Sequence, residues 1–326
     1  MVYSEHVPKN SHVPGEQMSI EVSVVIAAYN RKEYLTKCLD CLFDQDYPPD
    51  CYEVIVVDDA STDGTEAMVK AKNPACRLKY LRQSVNCGPG ASRNRGVFAA
   101  EGEIIVFIDS DAFAPTWYVR EHAKSHKAHP HAIVDGPAIT IRDESLIDNP
   151  PLYSSKVKTL AALGFFGLAF VTANASCLRE DFIKTGGFDE DFKKSQDLEL
   201  CQRLLKLGLK RVRNRRAYVL HFEAGRSNIL DIGSHMESRG WYAAMFYRKY
   251  PSPWARRKTR LRYMAYDRVF ERIRWIRERL TPEGIVRCRD QGSPWYGLLK
   301  PLYVIHSYAR GLKAGFDLES TEGGGE

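Results

Sequence analysis

The chain of 326 residues lacks an apolar run of the roughly 18 to 20 residues that a bilayer-crossing helix requires. Its closest approach, residues 160–173, is shorter and rich in Gly and Ala. The opening "MVYSEHVPKNSHVPGEQMS" lacks the basic-then-apolar order of a secretory signal, so the expected location is the cytoplasm, or the inner face of a membrane as a peripheral protein. Cysteine is sparse, eight in all and mostly inside apolar runs, which argues for small buried hydrophobes and against a disulfide framework. "CLDC" (Cys38, Cys41) has C-x-x-C spacing but no second pair, and reads as helix-core packing. In "NCGPGASRNRG" Arg93 stands where a dinucleotide fingerprint needs its third glycine, there is no Gly-Lys-Ser/Thr, and the last glycine of a nucleophile elbow is absent. Four histidines crowd "EHAKSHKAHPH" (His122, His126, His129, His131) without the glutamate of H-E-x-x-H, so a solvated helix face is expected there.

What is present is enough apolar and aromatic residue (44 % and 11 %) to fill a substantial core. The net charge of +6 is unevenly placed: residues 249–313 carry 16 Lys/Arg against 5 Asp/Glu, and the chain before them is near neutrality. From residue 22 short β-branched runs alternate with segments of helical period: "VSVVIA", residues 32–43, "EVIVVD", residues 62–72, "LKYLR", residues 88–100, "EIIVFI". Strands apolar on both faces and separated by helices predict a doubly wound, mostly parallel α/β sheet. Ligands of such sheets lie at the carboxyl ends of the strands, where Tyr29-Asn30, Asp58-Asp59 and Asp109-Asp111 all fall, so these clusters are expected to share one cleft.

"IIVFIDSD" ends a buried run in two carboxylates one residue apart, an arrangement that needs a compensating cation, donor or solvent. The glycine-rich helix start with Arg93 and Arg95 suits a diphosphate, through backbone N–H groups, the helix dipole and guanidinium forks. Taken in order, "VSVVIAAYNRKEYLTKCLDCL", "YEVIVVDDASTDGT", "NCGPGASRNRG", "GEIIVFIDSDA", "GGFDE" and "HFEAGRS" resemble the inverting family 2 glycosyltransferases of the GT-A fold over residues 20 to 227. The resemblance implies a nucleoside diphosphate sugar donor, a Mg²⁺ or Mn²⁺ cofactor, and a hydroxyl acceptor on a glycan or lipid-linked saccharide, as in polysaccharide or cell-envelope synthesis. It places the nucleotide on Ala27, Tyr29, Asp59, Arg93 and Asp109, the cation on Asp111 of the DxD motif and on His221, and the acceptor on Gly187, Phe188 and Asp189. It makes Asp197 the catalytic base, within Gln196-Asp197-Leu198-Glu199-Leu200, where the family's usual first glutamate is Gln and its second aspartate is Glu.

The expected organisation is a polar segment 1–19, a catalytic domain 20–235 (nucleotide half 20–130, acceptor half 131–235), a basic helical region 236–316 broken at its prolines, and a disordered tail 317–326. Tyr263, Tyr266, Phe270, Ile273, Ile276 and Leu280 form an apolar stripe expected to dock on the catalytic domain, with an anionic membrane surface as the alternative partner. Nucleic acid is not expected, since charge alone is non-specific. Two other readings stay open: a sugar nucleotidyltransferase, which needs a Gly-rich loop after the first strand where this chain has "AAYNRKEY", and a catalytically silent subunit, which Gln196 favours.

Overall fold

The computed structural model describes residues 19–163, 170–223 and 228–317; the expected polar N-terminal segment except residue 19, the tail except Asp317, which is helical, and parts of the Gly-rich and "HFEAGRS" stretches lie outside the described residues. The first half alternates as the sequence predicts: β1 (Val22–Ala28), α1 (Lys32–Phe43), β2 (Tyr52–Asp58), α2 (Thr65–Lys70), β3 (Arg77–Arg82), α3 (Pro89–Phe98) and β4 (Ile104–Ile108). β1, β2 and β4 are almost entirely buried, which explains why their runs are apolar without alternation. β3 is the sheet edge, and its "RLKYLR" is correspondingly amphipathic. The second helix is shorter than expected, because Gly64 in the left-handed region and Asp63, whose carboxylate accepts from the Thr65 N–H, start it late.

The chain continues through β5 (Ala112–Phe113), α4 (Tyr118–Ala128), β6 (Ala132–Asp135), β7 (Ala138–Ile141), α5 (Ser155–Leu163), β8 (Asn174–Leu178), α6 (Arg179–Thr185), α7 (Gln196–Lys206), β9 (Lys210–Arg213) and β10 (Val219–Phe222). The main sheet has the order β3-β2-β1-β4-β8-β6-β9, with β8 antiparallel to both neighbours and the other pairs parallel. The chain leaves β1 towards β2 and β3, then returns to pair β4 on β1's other side. That reversal is a topological switch point, and it opens a crevice at the carboxyl ends of β1 and β4. A second sheet, β5-β10-β7, sits over those ends.

One expectation fails on α4. His122 and His126 are buried, not solvated. His122 Nδ1 lies 2.8 Å from Ser176 Oγ and its Nε2 3.1 Å from Asn174 Oδ1, while His126 Nε2 lies 2.8 Å from the same Ser176 Oγ. The i, i+4 pair thus rivets α4 to β8, and the polar appearance of its helix hides a buried face.

After residue 228 the chain is helical: α8 (Ile229–Lys249), α9 (Pro253–Lys258), α10 (Arg262–Arg272), α11 (Arg274–Arg277), α12 (Pro282–Asp290) and α13 (Tyr296–Asp317). Pro253 and Pro282 take first-turn positions, where their missing N–H costs nothing, but Pro301 lies inside α13 and does not end it. The apolar stripe is not one helix, because Ile273 turns extended between α10 and α11. Leu280, with Phe270 and Ile276, packs against Ile229, Leu299 and Tyr303 of α8 and α13, so the stripe docks on its own helical region. Tyr266 and Ile273 remain exposed. Attachment to the catalytic part runs instead through Phe192, Leu198, Phe246 and Ala255.

α8 and α13 approach closely enough to exclude side chains. A Cβ on Gly240 would lie 2.0 Å from the Tyr308 carbonyl, and one on Gly311 1.8 Å from that of Glu237. Gly311→Ala is therefore expected to push the helices apart and lower unfolding free energy by about 1–3 kcal/mol, a cost typical of overpacking, measured by denaturant titration. An unchanged midpoint would show that the seam relaxes without cost.

Candidate active site

At the switch point the ends of β1 and β2 are laced together. The Asp59 N–H donates to the Ala28 carbonyl at 2.8 Å, the Asn30 N–H to Ser61 Oγ at 2.9 Å, and the Thr62 N–H back to Asn30 Oδ1 at 2.8 Å. Asn30 and Ala60 both hold positive φ, as does Ser195 at the start of α7. Left-handed backbone is costly for residues with a Cβ and gathers where loops are over-determined around a site. The first two clusters are thus joined directly, and α3 links them to the third, since the Gly88 N–H at its start donates to Asp59 and its Arg93 to Asp109.

Asp109 and Asp111 follow β4. The Arg93 Nη2 of α3 donates to Asp109 Oδ1 at 2.7 Å, and His221 Nε2 stands 3.7 Å from Asp109 Oδ2 and 3.2 Å from Asp111 Oδ1. The second sheet brings the histidine there: its register pairs His221 with Ala112, one residue after Asp111. Burial works against a charged His221 imidazole, but the Asp111 hydrogen bond and the charges of Asp109 and Asp111 outweigh it and hold the ring's pKa above the ordinary value. Asp109, Asp111 and His221 offer ligand atoms all within 4.8 Å of one another. Two carboxylates and an imidazole at that spacing fit a hard, oxygen-preferring divalent cation such as Mg²⁺ or Mn²⁺. Arg93 is itself buried over the Phe188 ring, and its Nε finds no acceptor among the described residues.

The other expected residues fall around this centre. Ala27 is part-buried in β1 opposite Val57, and Tyr29, just past the strand, is exposed by 48 %. Asp59 is buried, and its carboxylate accepts from Gln83 Nε2 and from the Cys87 and Gly88 N–H groups, each at 2.8 Å. It therefore shapes the loop entering α3, with about one lone-pair position left for a ligand.

Gly187, Phe188 and Asp189 are fixed from two sides. Asn94 of α3 accepts the Phe188 N–H at 2.7 Å and donates to its carbonyl at 2.9 Å. Gly187 has φ of +83°, and a Cβ there would meet Asn94 Oδ1 at 2.6 Å, so glycine is required twice over. The Phe188 ring is core, packed on Phe107 and Phe182. Asp189 is held by Lys249 Nζ at 2.6 Å, an ion pair that keeps its carboxyl below the ordinary range against the opposing effect of burial.

Asp197 lies in the first turn of α7, two residues after the strained Ser195. Its Oδ1 accepts the Leu198 N–H at 2.8 Å. Burial pushes its carboxyl up; the Leu198 N–H, Arg93 and Arg239 pull it down and Asp109 pushes it further up, for a net rise. Glu199, two residues on, is fully buried, bound to Arg203, Lys249 and Tyr250. The preceding Gln196 turns its Oε1 towards Gly90, where it finds no donor among the described residues. Sequence reading missed Asn94, Arg239 and Lys249. Asn94 stood inside a quoted motif, whereas the α8 residues reach the site only through tertiary packing.

Several known proteins are similar to this chain. Over 277 residues the chain is 28 % identical to validoxylamine A glucosyltransferase of Streptomyces hygroscopicus subsp. limoneus, covering 74 % of this chain and 58 % of that protein. It is 40 % identical over 95 residues to the poly(ribitol-phosphate) beta-N-acetylglucosaminyltransferase TarS of Staphylococcus aureus, 29 % of this chain and 17 % of that one. The chain thus spans under two-thirds of the length of these relatives. Among solved structures, the Pyrobaculum calidifontis mannosyltransferase PcManGT in complex with GDP-Man and Mn²⁺ superposes with a TM-score of 0.57 at 21 % identity, covering 93 % of this chain and 87 % of that one. A Staphylococcus aureus TarS structure in complex with UDP-GlcNAc gives 0.55 at 18 %, covering 92 % of each chain. These neighbours share the GT-A fold, a mostly parallel sheet between helices with a helical C-terminal part. The family model of glycosyl transferase family 2 matches residues 23–186, half of the chain, and the chain belongs to that family.

Proposed function

We propose that this chain transfers a sugar, with inversion, from a nucleoside diphosphate sugar to a hydroxyl of a glycan or lipid-linked acceptor, aided by a divalent cation. The observation that carries the reading is the convergence of Asp109, Asp111 and His221 at the switch point, with Arg93 bound to Asp109 on one side. Asp111 and His221 would hold the cation, which when bound offsets the charge developing on the leaving nucleoside diphosphate. Ala27, Tyr29 and Asp59 line the nucleoside's side, and the Arg93 guanidinium faces the diphosphate. Asp197 takes the acceptor's hydroxyl proton as that oxygen bonds to the anomeric carbon and the bond to the diphosphate breaks on the opposite face. Gly187, Phe188 and Asp189, pinned to α3 by Asn94 and to α8 by Lys249, set the acceptor side.

A thermal-shift panel of UDP-, GDP- and dTDP-sugars with and without Mn²⁺ tests the reading. A donor at 100 times its Kd stabilises the folded state by about 2.7 kcal/mol. One donor should raise the melting temperature only with the cation present, and Asp111→Ala should abolish that shift for donor and cation together. A cation-independent shift retained by Asp111→Ala would overturn the metal assignment. Donor binding without any cation-dependent turnover would mark a silent donor-binding subunit.

A further inference from the structure

At the junction of α9 and α10, a cavity of about 580 Å³ is ringed by Arg256, Arg257, Arg260, Arg262 and Arg268, with no acidic side chain in its wall. All five arginines are exposed, and among the described residues none pairs with a carboxylate. Five like charges around one concavity make it electropositive and favour an anion there. The acids of α10 do not offset them, because they face the other way. Asp267 binds His306 at 2.5 Å and Lys313 Nζ at 2.8 Å, and Glu271 binds the same Lys313 at 3.0 Å, so both point to α13. The helix thus turns its two acids towards α13, and Arg262 and Arg268 line the cavity.

Two further features fit a ligand site. Arg260 holds φ of +54°, a left-handed conformation that a side-chain-bearing residue adopts at a cost, and this turn between α9 and α10 places it on the cavity rim. Tyr247, Leu261 and Met264 give the cavity an apolar floor. Guanidinium forks match phosphoryl oxygens in geometry and keep their charge at any physiological pH. The volume exceeds that of a bare oxyanion and falls in the range of small-ligand pockets.

From these observations we infer that the arginine-ringed cavity between α9 and α10 is a second binding site, separate from the crevice of Asp109 and Asp111, for a phosphate group, carried on a lipid head group or on a soluble phosphate ester. It stands independently of the donor reading.

The test compares the full chain with R257Q/R260Q/R268Q and with a charge-matched control, R272Q/R277Q/R287Q, whose arginines are exposed elsewhere in the same region. Each is titrated with inorganic phosphate, with glycerol 3-phosphate, and with phosphatidylcholine vesicles with and without phosphatidylglycerol. Binding by wild type and control that falls about tenfold or more in the cavity variant supports the site, since each lost guanidinium removes charge-assisted hydrogen bonds. Loss seen with the phosphatidylglycerol vesicles alone assigns the group to lipid, and loss seen with glycerol 3-phosphate or phosphate assigns it to a soluble ester. Equal losses in both variants would reduce the effect to diffuse charge and overturn the site, as would the absence of binding to every probe. Should the triple variant fail to fold, R257Q and R268Q singly carry the same comparison. Donor-dependent thermal shifts should be the same in all the variants, so failure here is distinguishable from failure of the proposed transfer.

Discussion

Asp197→Asn is expected to lower turnover by about 10²–10⁴ while leaving donor binding nearly intact, the range that loss of a positioned general base produces. The amide keeps the size of the carboxylate, and its oxygen can still accept the Leu198 N–H that holds the side chain now. What it loses is the capacity to take a proton. The pH profile offers an independent check. A base must be ionised to act, and burial, followed in effect by the Asp109 charge, raises this carboxyl above its ordinary value although the Leu198 N–H, Arg93 and Arg239 oppose it. Wild-type turnover should therefore climb with pH along an acid limb displaced above the usual carboxylate range, and Asp197→Asn should lack that limb. Arg239→Gln removes a stabilising charge and should move the limb further up. A normal rate in Asp197→Asn would place the base elsewhere, with Asp197 left as the first-turn residue that satisfies a helix N–H.

How far the chain can be read without coordinates depends on the range of the interaction. The β1–β4 unit was legible because strands buried on both faces print continuous apolar runs, and because the polar residues that end them mark the carboxyl edge of the sheet. Asp109 and Asp111 were legible for the same reason: a carboxylate pair terminating a buried run is conspicuous. Residues whose partners lie far along the chain were not. Lys249 ties Asp189 and Glu199 to α8 across sixty and fifty positions, and no local pattern signals that reach. The apolar stripe from Tyr263 to Leu280 was read with the right period but the wrong partner, since Tyr263 and Phe270 before the extended turn at Ile273, and Ile276 and Leu280 after it, all pack on α8 and α13. Asp59 shows a subtler limit. The sequence places it at a strand end facing ligand, yet only the structure reveals that the Cys87 and Gly88 N–H groups already claim most of its oxygens.

The histidines of α4, misread as solvated, should make the fold acid-labile well before its carboxylates titrate. Burial depresses the His122 pKa to about 3, with the neighbouring His126 pushing the same way, and burial alone takes His126 to about 4. Both rings are thus neutral when folded and protonate near the ordinary imidazole value of about 6.5 when unfolded. The unfolded chain therefore binds more protons, so the stability these residues contribute is complete above pH 6.5 and drains away as pH falls towards their folded-state values. With two protons taken up, the unfolding free energy should decline by about 2.7 kcal/mol per pH unit from these two side chains alone. Across that window the loss reaches several kcal/mol, comparable with the whole stability of an ordinary domain. Denaturant titrations at pH 7.5, 6 and 5 on wild type and H122Q/H126Q isolate the term, because the raised His221 and every other titrating group cancel in the difference. H122Q/H126Q is expected to be less stable at pH 7.5, having lost a ring packed edge-on against Tyr118 and the fit to Ser176, but to show the shallower slope. Parallel slopes for the two proteins would mean that the imidazoles are charged, or free to charge, within the folded chain, and that the contact between α4 and β8 is not the buried neutral pair described.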